Sequence, residues 1–234
     1  MISCSLCFES YDPPAWLGDF FFDGALQRPS VNQAKRRYIL FYKPYGVLSQ
    51  FTDRAGRATL GRFGPFPRDV YPVGRLDADS EGLLLLTNDN TIKHHLLEPH
   101  FGHLRTYLVQ VERVPSVVLL EKLRTGVMIE GKQTKPATVT LLESEPPLPP
   151  RPVPVRYRKS VPTAWLEITL AEGRNRQVRK MTASVGHPTL RLVRAAIGPL
   201  TIHGLQPGKS RELRPSEVKS LLEPARDSAR LTKF

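Results

Sequence analysis

Four consecutive leucines, Leu83 to Leu86, follow directly on the polar stretch Gly74-Arg75-Leu76-Asp77-Ala78-Asp79-Ser80-Glu81-Gly82. This junction constrains the fold more than any other part of the chain. Leaving one such side chain in water forfeits roughly 1.5–3 kcal/mol, so the run must be buried and the loop ahead of it is anchored to a rigid element. Asp77 therefore takes a fixed place. At the mouth of a buried strand, with an arginine two residues before it, its carboxylate is one of two things. It is half of a loop ion pair, or it is a positioned catalytic acid, base or nucleophile.

The 234 residues, 40% hydrophobic and 24% charged, suffice for one large domain or two small subdomains with a real core. Lys and Arg number 34 against 22 Asp and Glu, and the net charge of +12 points to a polyanionic partner, nucleic acid ahead of a membrane surface. No apolar run is long enough to span a bilayer, and the start lacks the basic flank and apolar stretch of a signal peptide, so the expectation is a cytoplasmic protein with no membrane association. The only cysteines, Cys4 and Cys7, make no disulfide framework. Zinc would need two more ligands, and the His100/His103 spacing is shorter than usual, so no metal site is expected. His94, His95, His187 and His203 read as scattered surface or loop histidines.

Along the chain, residues 1–37 show no periodicity and read as a poorly ordered N-terminal extension; residues 224–234 read as a tail. The folded domain is expected over 38–223. Tyr38 to Tyr42 suits a strand closed by the turn Lys43-Pro44-Tyr45-Gly46, and a short helix is expected from Asn90 to Leu97, followed by a strand over Thr106 to Val111. A helix through Leu119, Leu120 and Leu123 should end at Gly126, with strands near Val127 to Ile129 and Thr138 to Leu142. The proline-rich segment 144–162 should be an extended surface loop. Beyond it lie a strand over Ala164 to Leu170, a helix from Asn175 to Val185, strands at Leu190 to Ile197, Leu200 to Ile202 and Glu212-Leu213, and a closing helix over Ser216 to Leu222.

A second dense block, Glu172-Gly173-Arg174-Asn175-Arg176-Gln177-Val178-Arg179-Lys180-Met181, opens that helix. Arg176, Arg179 and Lys180 are spaced to share one helical face while Val178, Met181 and Val185 turn to the core. Cations at a helix start oppose its dipole, so a phosphate or carboxylate partner resolves the conflict; a solvated basic face is the plainer alternative. Tyr107 could be a half-buried core tyrosine, or, in a basic cleft, a ring on which an unpaired base stacks at roughly 1–3 kcal/mol.

Taken in order, Tyr38, Lys-Pro-x-Gly at 43–46, Gly-Arg-Leu-Asp-x-x-Ser-x-Gly-Leu at 74–83, Arg-Thr-Tyr-x-Val at 105–109 and Glu-Gly-Arg-Asn-Arg-Gln-Val-Arg-Lys-Met at 172–181 form a distinctive series. It closely resembles that of the RsuA-type bacterial ribosomal RNA pseudouridine synthases, over about Tyr38 to Leu222. The lack of a recognisable small RNA-binding domain ahead of it, together with the proline-rich insertion, resembles the short subtype acting on large-subunit (23S) rRNA. The resemblance implies an α+β pseudouridine synthase fold, a long mixed, mostly antiparallel sheet over two subdomains with a central cleft. It implies isomerisation of a uridine to pseudouridine without any cofactor, by a monomer whose partner is rRNA. It makes Asp77 the catalytic aspartate, Arg179 its ion-pair partner and Tyr107 the ring that stacks on the flipped uracil. RNA contacts are expected from Lys43, Arg75, Arg174, Arg176 and Lys180, although a generic basic surface also accounts for these. Asp79 and Glu81 are expected in loop or capping roles.

Two other readings remain open on sequence alone. One is a noncatalytic rRNA-binding or ribosome-assembly protein. The other is a metal-dependent nuclease using Asp77, Asp79 and Glu81.

Overall fold

A computed structural model describes residues 35–155 and 160–223. The expectations for residues 1–34, including Cys4 and Cys7, and for the tail 224–234 lie outside the described residues. The chain order is β1 (Tyr38–Lys43), β2 (Tyr71–Pro72), β3 (Glu81–Thr87), α1 (Asn90–Leu97), β4 (Arg105–Glu112), α2 (Val117–Thr125), β5 (Met128–Ile129), β6 (Lys132–Gln133) and β7 (Thr138–Leu141). It continues with β8 (Thr163–Leu170), α3 (Gln177–Ser184), β9 (Thr189–Ile197), β10 (Leu200–Thr201), β11 (Ser210–Glu212) and α4 (Pro215–Leu222).

One sheet runs in the order β11-β1-β3-β9-β4-β8-β7, with β10 added to β9 and β2 to β3, while β5 and β6 form a separate ribbon. Every pairing in the large sheet is antiparallel except β3 with β9, where Glu81 faces Val193 and Gly82 faces Arg194. This is the α+β, mostly antiparallel sheet expected. The parallel join is short, and it divides the sheet into a β1–β3 side and a β4–β9 side.

The leucine run explains the sheet's position. Leu83 and Leu85 pack into one buried cluster with Tyr42, Leu108, Trp165 and Val193, and Leu84 and Leu86 into another with Phe41, Leu60 and Val70. Because successive side chains of a strand point to opposite faces, β3 is buried along its whole length only because both faces are covered. The second cluster is closed by Phe51, Phe63 and Phe66 from the 46–73 region, with Phe41 and Phe66 edge to face at 5.7 Å. A third cluster, around Val109, Leu123, Leu166 and Met181, packs α2 and α3 against β4 and β8.

Gly82 makes the parallel join possible. Its φ is +108°, and a Cβ there would sit 2.6 Å from the Arg194 backbone nitrogen. Only a residue without a side chain tolerates both that dihedral and that approach. Across the same join the Glu81 carboxylate accepts two hydrogen bonds from Arg191, each 2.9 Å.

Helix boundaries follow local chemistry. Asp89 caps α1 by accepting from the Thr91 amide at 2.9 Å, and Gly126, at φ +106°, ends α2. One boundary departs from expectation. The helix expected from Asn175 begins at Gln177, and Arg176 is its N-cap residue in the left-handed region at φ +50°. Arg176 thus stands outside the helix and does not share a helical face with Arg179 and Lys180.

The described part of the proline-rich segment carries no helix or strand, as expected, and packs onto the domain. Arg191 Nη2 donates to the Pro149 carbonyl at 2.8 Å, and the Arg151 guanidinium lies 4.1 Å from the centre of the Tyr45 ring.

Candidate active site

Asp77 stands in the loop that delivers the chain to β3, and the loop is braced from three sides. Ser49 Oγ donates to the Leu76 carbonyl at 2.8 Å and accepts from the Leu76 amide at 3.0 Å. The Gly46 amide donates to the Ala78 carbonyl at 2.7 Å, so the Lys43-Pro44-Tyr45-Gly46 turn supports the loop from the β1 side. Arg179 Nη2 donates to the Asp79 carbonyl at 2.7 Å from the other side of the sheet join. Each bond satisfies a backbone or side-chain group that would otherwise cost about 1–3 kcal/mol to bury alone.

The charges pair differently from the sequence expectation. Asp77 Oδ2 lies 3.2 Å from Arg176 Nη1, and Arg176 Nη2 lies 2.7 Å from Asp79 Oδ2. Arg179, expected to pair with Asp77, instead holds the backbone of Asp79 and lies 3.5 Å from its Oδ1. The reason is the left-handed turn at Arg176, which brings that side chain to the open face of the loop, while Arg179, one turn into α3, reaches beneath it. Burial works against ionised Asp79, but the Arg176 hydrogen bond and the charges of Arg179 and Arg176 outweigh it and hold its pKa below the usual aspartate value. Burial is also what lowers Arg179, opposed chiefly by Asp79; a guanidinium remains protonated regardless.

Asp77 and Tyr107 line one cleft of about 600 Å³, together with Arg75, Arg174 and Arg176. Arg75 is exposed and makes no hydrogen bond or ion pair with any described residue, leaving its guanidinium available to a ligand. Arg174 is anchored, its guanidinium donating to the Ile129 and Lys132 carbonyls. Arg179 supports the cleft from behind without lining it.

Lys43 does not take the RNA-contact place expected of it. Lys43 is fully buried, donating to the Pro44 carbonyl at 3.0 Å and the Val47 carbonyl at 2.7 Å, and burial lowers its pKa to about 8. It stiffens the turn beneath the Asp77 loop. Lys180 Nζ is held by Glu130 at 2.6 Å and by Asn175 at 3.2 Å, outside the cleft lining.

Asp77, Asp79 and Glu81 do not converge as metal ligands would. Glu81 is buried on Arg191, not in a loop or capping role, and Asp79 is held by two arginines. Among the described residues no group of three potential ligands is placed to hold a metal ion, and His103 is engaged with His95 at 2.7 Å. Among the described residues no helix is long and apolar enough to cross a membrane. Sequence reasoning missed Ser49 and Arg191 because neither belongs to a motif with chemistry of its own; each matters through a partner far along the chain.

Residues 37–184 match the RNA pseudouridylate synthase family model, and the chain belongs to that family. Its members isomerise uridine in RNA, and the aspartate loop, arginine-bearing helix start and cleft tyrosine fall inside the matched region. The chain is 55% identical over 175 residues, 74% of its length and 93% of the relative's, to ribosomal large subunit pseudouridine synthase E of Xanthomonas campestris pv. campestris. It is 50% identical to the protein of the same name from Vibrio vulnificus, over 80% of this chain and 79% of that one. Ribosomal large subunit pseudouridine synthase B of Bacillus subtilis is 40% identical over 82% of this chain and 73% of its own. A crystal structure of a pseudouridylate synthase superposes with a TM-score of 0.67 at 27% identity, covering 80% of this chain and 74% of that one.

Proposed function

We propose that this enzyme converts a specific uridine of large-subunit (23S) rRNA to pseudouridine, with Asp77 as the residue that acts on the ribose. The observation that carries the reading is the Asp77 carboxylate, paired with Arg176 on a loop braced by Ser49 and Arg179, in the same cleft as Tyr107. The reaction detaches uracil from C1′ with the N1–C1′ electron pair, turns the base in place and joins C5 to C1′. C5 then gives up its proton and N1 gains one, so no water, oxidant or cofactor enters the balance. Asp77 either attacks C1′ or takes the C2′ proton; both routes need it ionised, and both leave a uracil anion that neighbouring arginines favour.

The target base must leave its stack to reach Asp77, and an unpaired uridine is the least costly to extrude. Tyr107 supplies the stacking ring, Arg75 and Arg176 the contacts to the strand, and Arg179 positions the loop. The catalytic unit spans residues 38–223, acts as a monomer in the cytoplasm and is flanked by non-catalytic extensions.

The test is pseudouridine mapping on large-subunit rRNA from cells lacking the gene, after treatment with purified protein. One new pseudouridine is expected with wild type and none with Asp77→Asn, whose RNA affinity stays close to wild type. Identical maps for the two proteins would sink the assignment of Asp77. No conversion by the wild type, with binding intact, would favour a noncatalytic rRNA-binding role.

A further inference from the structure

A second cavity, of about 200 Å³, adjoins the Asp77 cleft. The two share Arg75, Tyr107, Glu172, Gly173 and Arg174; Arg105, His103 and Arg194 line only the second. Arg194 is its unusual member. It is 4% exposed, donates Nε to the Leu83 carbonyl at 2.7 Å, forms no ion pair with a described carboxylate and leaves Nη2 buried without a partner. Burial pulls its pKa down, opposed by Tyr107 and assisted by the neighbouring charge of Arg105. A guanidinium does not give up its proton at physiological pH, so a full positive charge stays in a poorly solvated wall. Such a placement is unfavourable unless a counter-charge arrives.

The rest of the cavity adds to that field. Arg105 uses Nη2 on the Leu96 carbonyl at 2.9 Å, and its Nη1 reaches the backbone at Gly173, where a Cβ would lie 3.2 Å away. Arg75 stands free where the cavity meets the cleft. Of the acidic members, Glu172 is held by two hydrogen bonds, from the Lys135 amide and the Gln177 side chain, and Glu98, 3.7 Å from His94, pairs with it only when that imidazole is protonated.

We propose that this cavity receives a phosphodiester group of the RNA strand next to the nucleotide held against Asp77. An anion is the guest that balances Arg194 and Arg105, and the shared wall at Arg75, Tyr107 and Arg174 makes the cavity contiguous with the cleft. Arg105 and Arg194 project from β4 and β9, adjacent strands of the sheet, so the two cations are fixed before RNA arrives. This inference rests on the chain acting on RNA.

The experiment uses an RNA fragment containing the converted uridine, with a neutral methylphosphonate replacing one phosphodiester at a time on either side of it. Binding is measured by filter retention separately from conversion, so failure of the cavity and failure of the proposed activity are distinguishable. One substituted position should weaken wild-type binding about tenfold, the scale of a lost hydrogen bond to a charged group. Arg105→Gln should weaken binding of unmodified RNA by a similar factor and lower the salt dependence by about one ion. On the RNA neutralised at the sensitive position it should cause no further loss, and Arg105→Lys should retain most of the affinity. If Arg105→Gln leaves affinity unchanged, or imposes its full loss whichever phosphodiester is neutralised, the cavity does not hold a phosphate.

Discussion

Replacing Glu81 with glutamine tests whether an ion pair holds the sheet together at the join that carries the active-site loop. The Glu81 and Arg191 side chains are 3% and 7% exposed, and the carboxylate accepts two 2.9 Å hydrogen bonds from the guanidinium. Glutamine preserves the shape but offers one acceptor where two were used, and turns an NH2 toward a donor. The buried guanidinium then loses its counter-charge, a change that costs about 3–5 kcal/mol, set against a total of about 5–15 kcal/mol for an ordinary domain. Urea unfolding followed by fluorescence, with the buried Trp165 on β8 as a reporter, measures the loss as a shift in midpoint at unchanged slope. The pair should also be strongly coupled: Glu81→Leu combined with Arg191→Met should recover much of what either Glu81→Gln or Arg191→Met loses. Because Asp77 lies four residues ahead of Glu81, Glu81→Gln should also lower turnover at temperatures where the protein remains folded. A loss below about 1 kcal/mol, or additive effects of removing the two partners, would refute the reasoning that this pair clamps the join.

Lys43 and Gly82 provide two further checks. The folded-state pKa of Lys43 is near 8, against 10.5 for a free lysine, so between those values the unfolded chain binds the extra proton and stability rises with pH. Relative to Lys43→Met, the wild type should gain up to ~3 kcal/mol between pH 7 and pH 10, measured by paired urea titrations; parallel pH curves for the two proteins would exclude a buried ammonium. Gly82→Ala forces a Cβ onto the Arg194 backbone at a left-handed dihedral, and the loss should exceed ~3 kcal/mol. Thermal unfolding near the wild-type midpoint would show that the strands do not approach as closely as described.

Sequence patterning revealed the elements better than their joins. The leucine run identified a buried strand, and Gly126 and the proline-rich segment punctuated the chain where expected, because caps and turns depend on local chemistry. The motifs likewise singled out Asp77, Tyr107 and the arginine block, and the structure brings Asp77, Tyr107, Arg174 and Arg176 to one cleft. What could not be read was which arginine meets which carboxylate. That depends on the left-handed turn at Arg176, a non-glycine position with no sequence signal for a positive φ, and on the parallel pairing of strands more than a hundred residues apart. Lys43 misled for a related reason: a lysine in a turn reads as exposed, yet here the carbonyls of Pro44 and Val47 satisfy it inside the core. Arg191 and Arg194 sit in a run of strand residues where charge suggests a solvated face, and only the pairing of β3 with β9 shows that both are enclosed.

The two-residue parallel pairing of β3 with β9 also governs the order in which this enzyme becomes an enzyme. Asp79 and its partners Arg176 and Arg179 are separated by 97 and 100 residues, and Glu81 and Arg191 by 110. Contacts of that range bear the full entropy of closing a long loop and follow the local hairpins and helices in a folding chain. The β1–β3 pair and the β4–β8 pair can each form from nearer neighbours, but neither alone brings Asp77 and Tyr107 into one cleft. Catalytic competence therefore belongs to the docking of two partial sheets, and a newly made chain acquires its secondary structure before it acquires its chemistry.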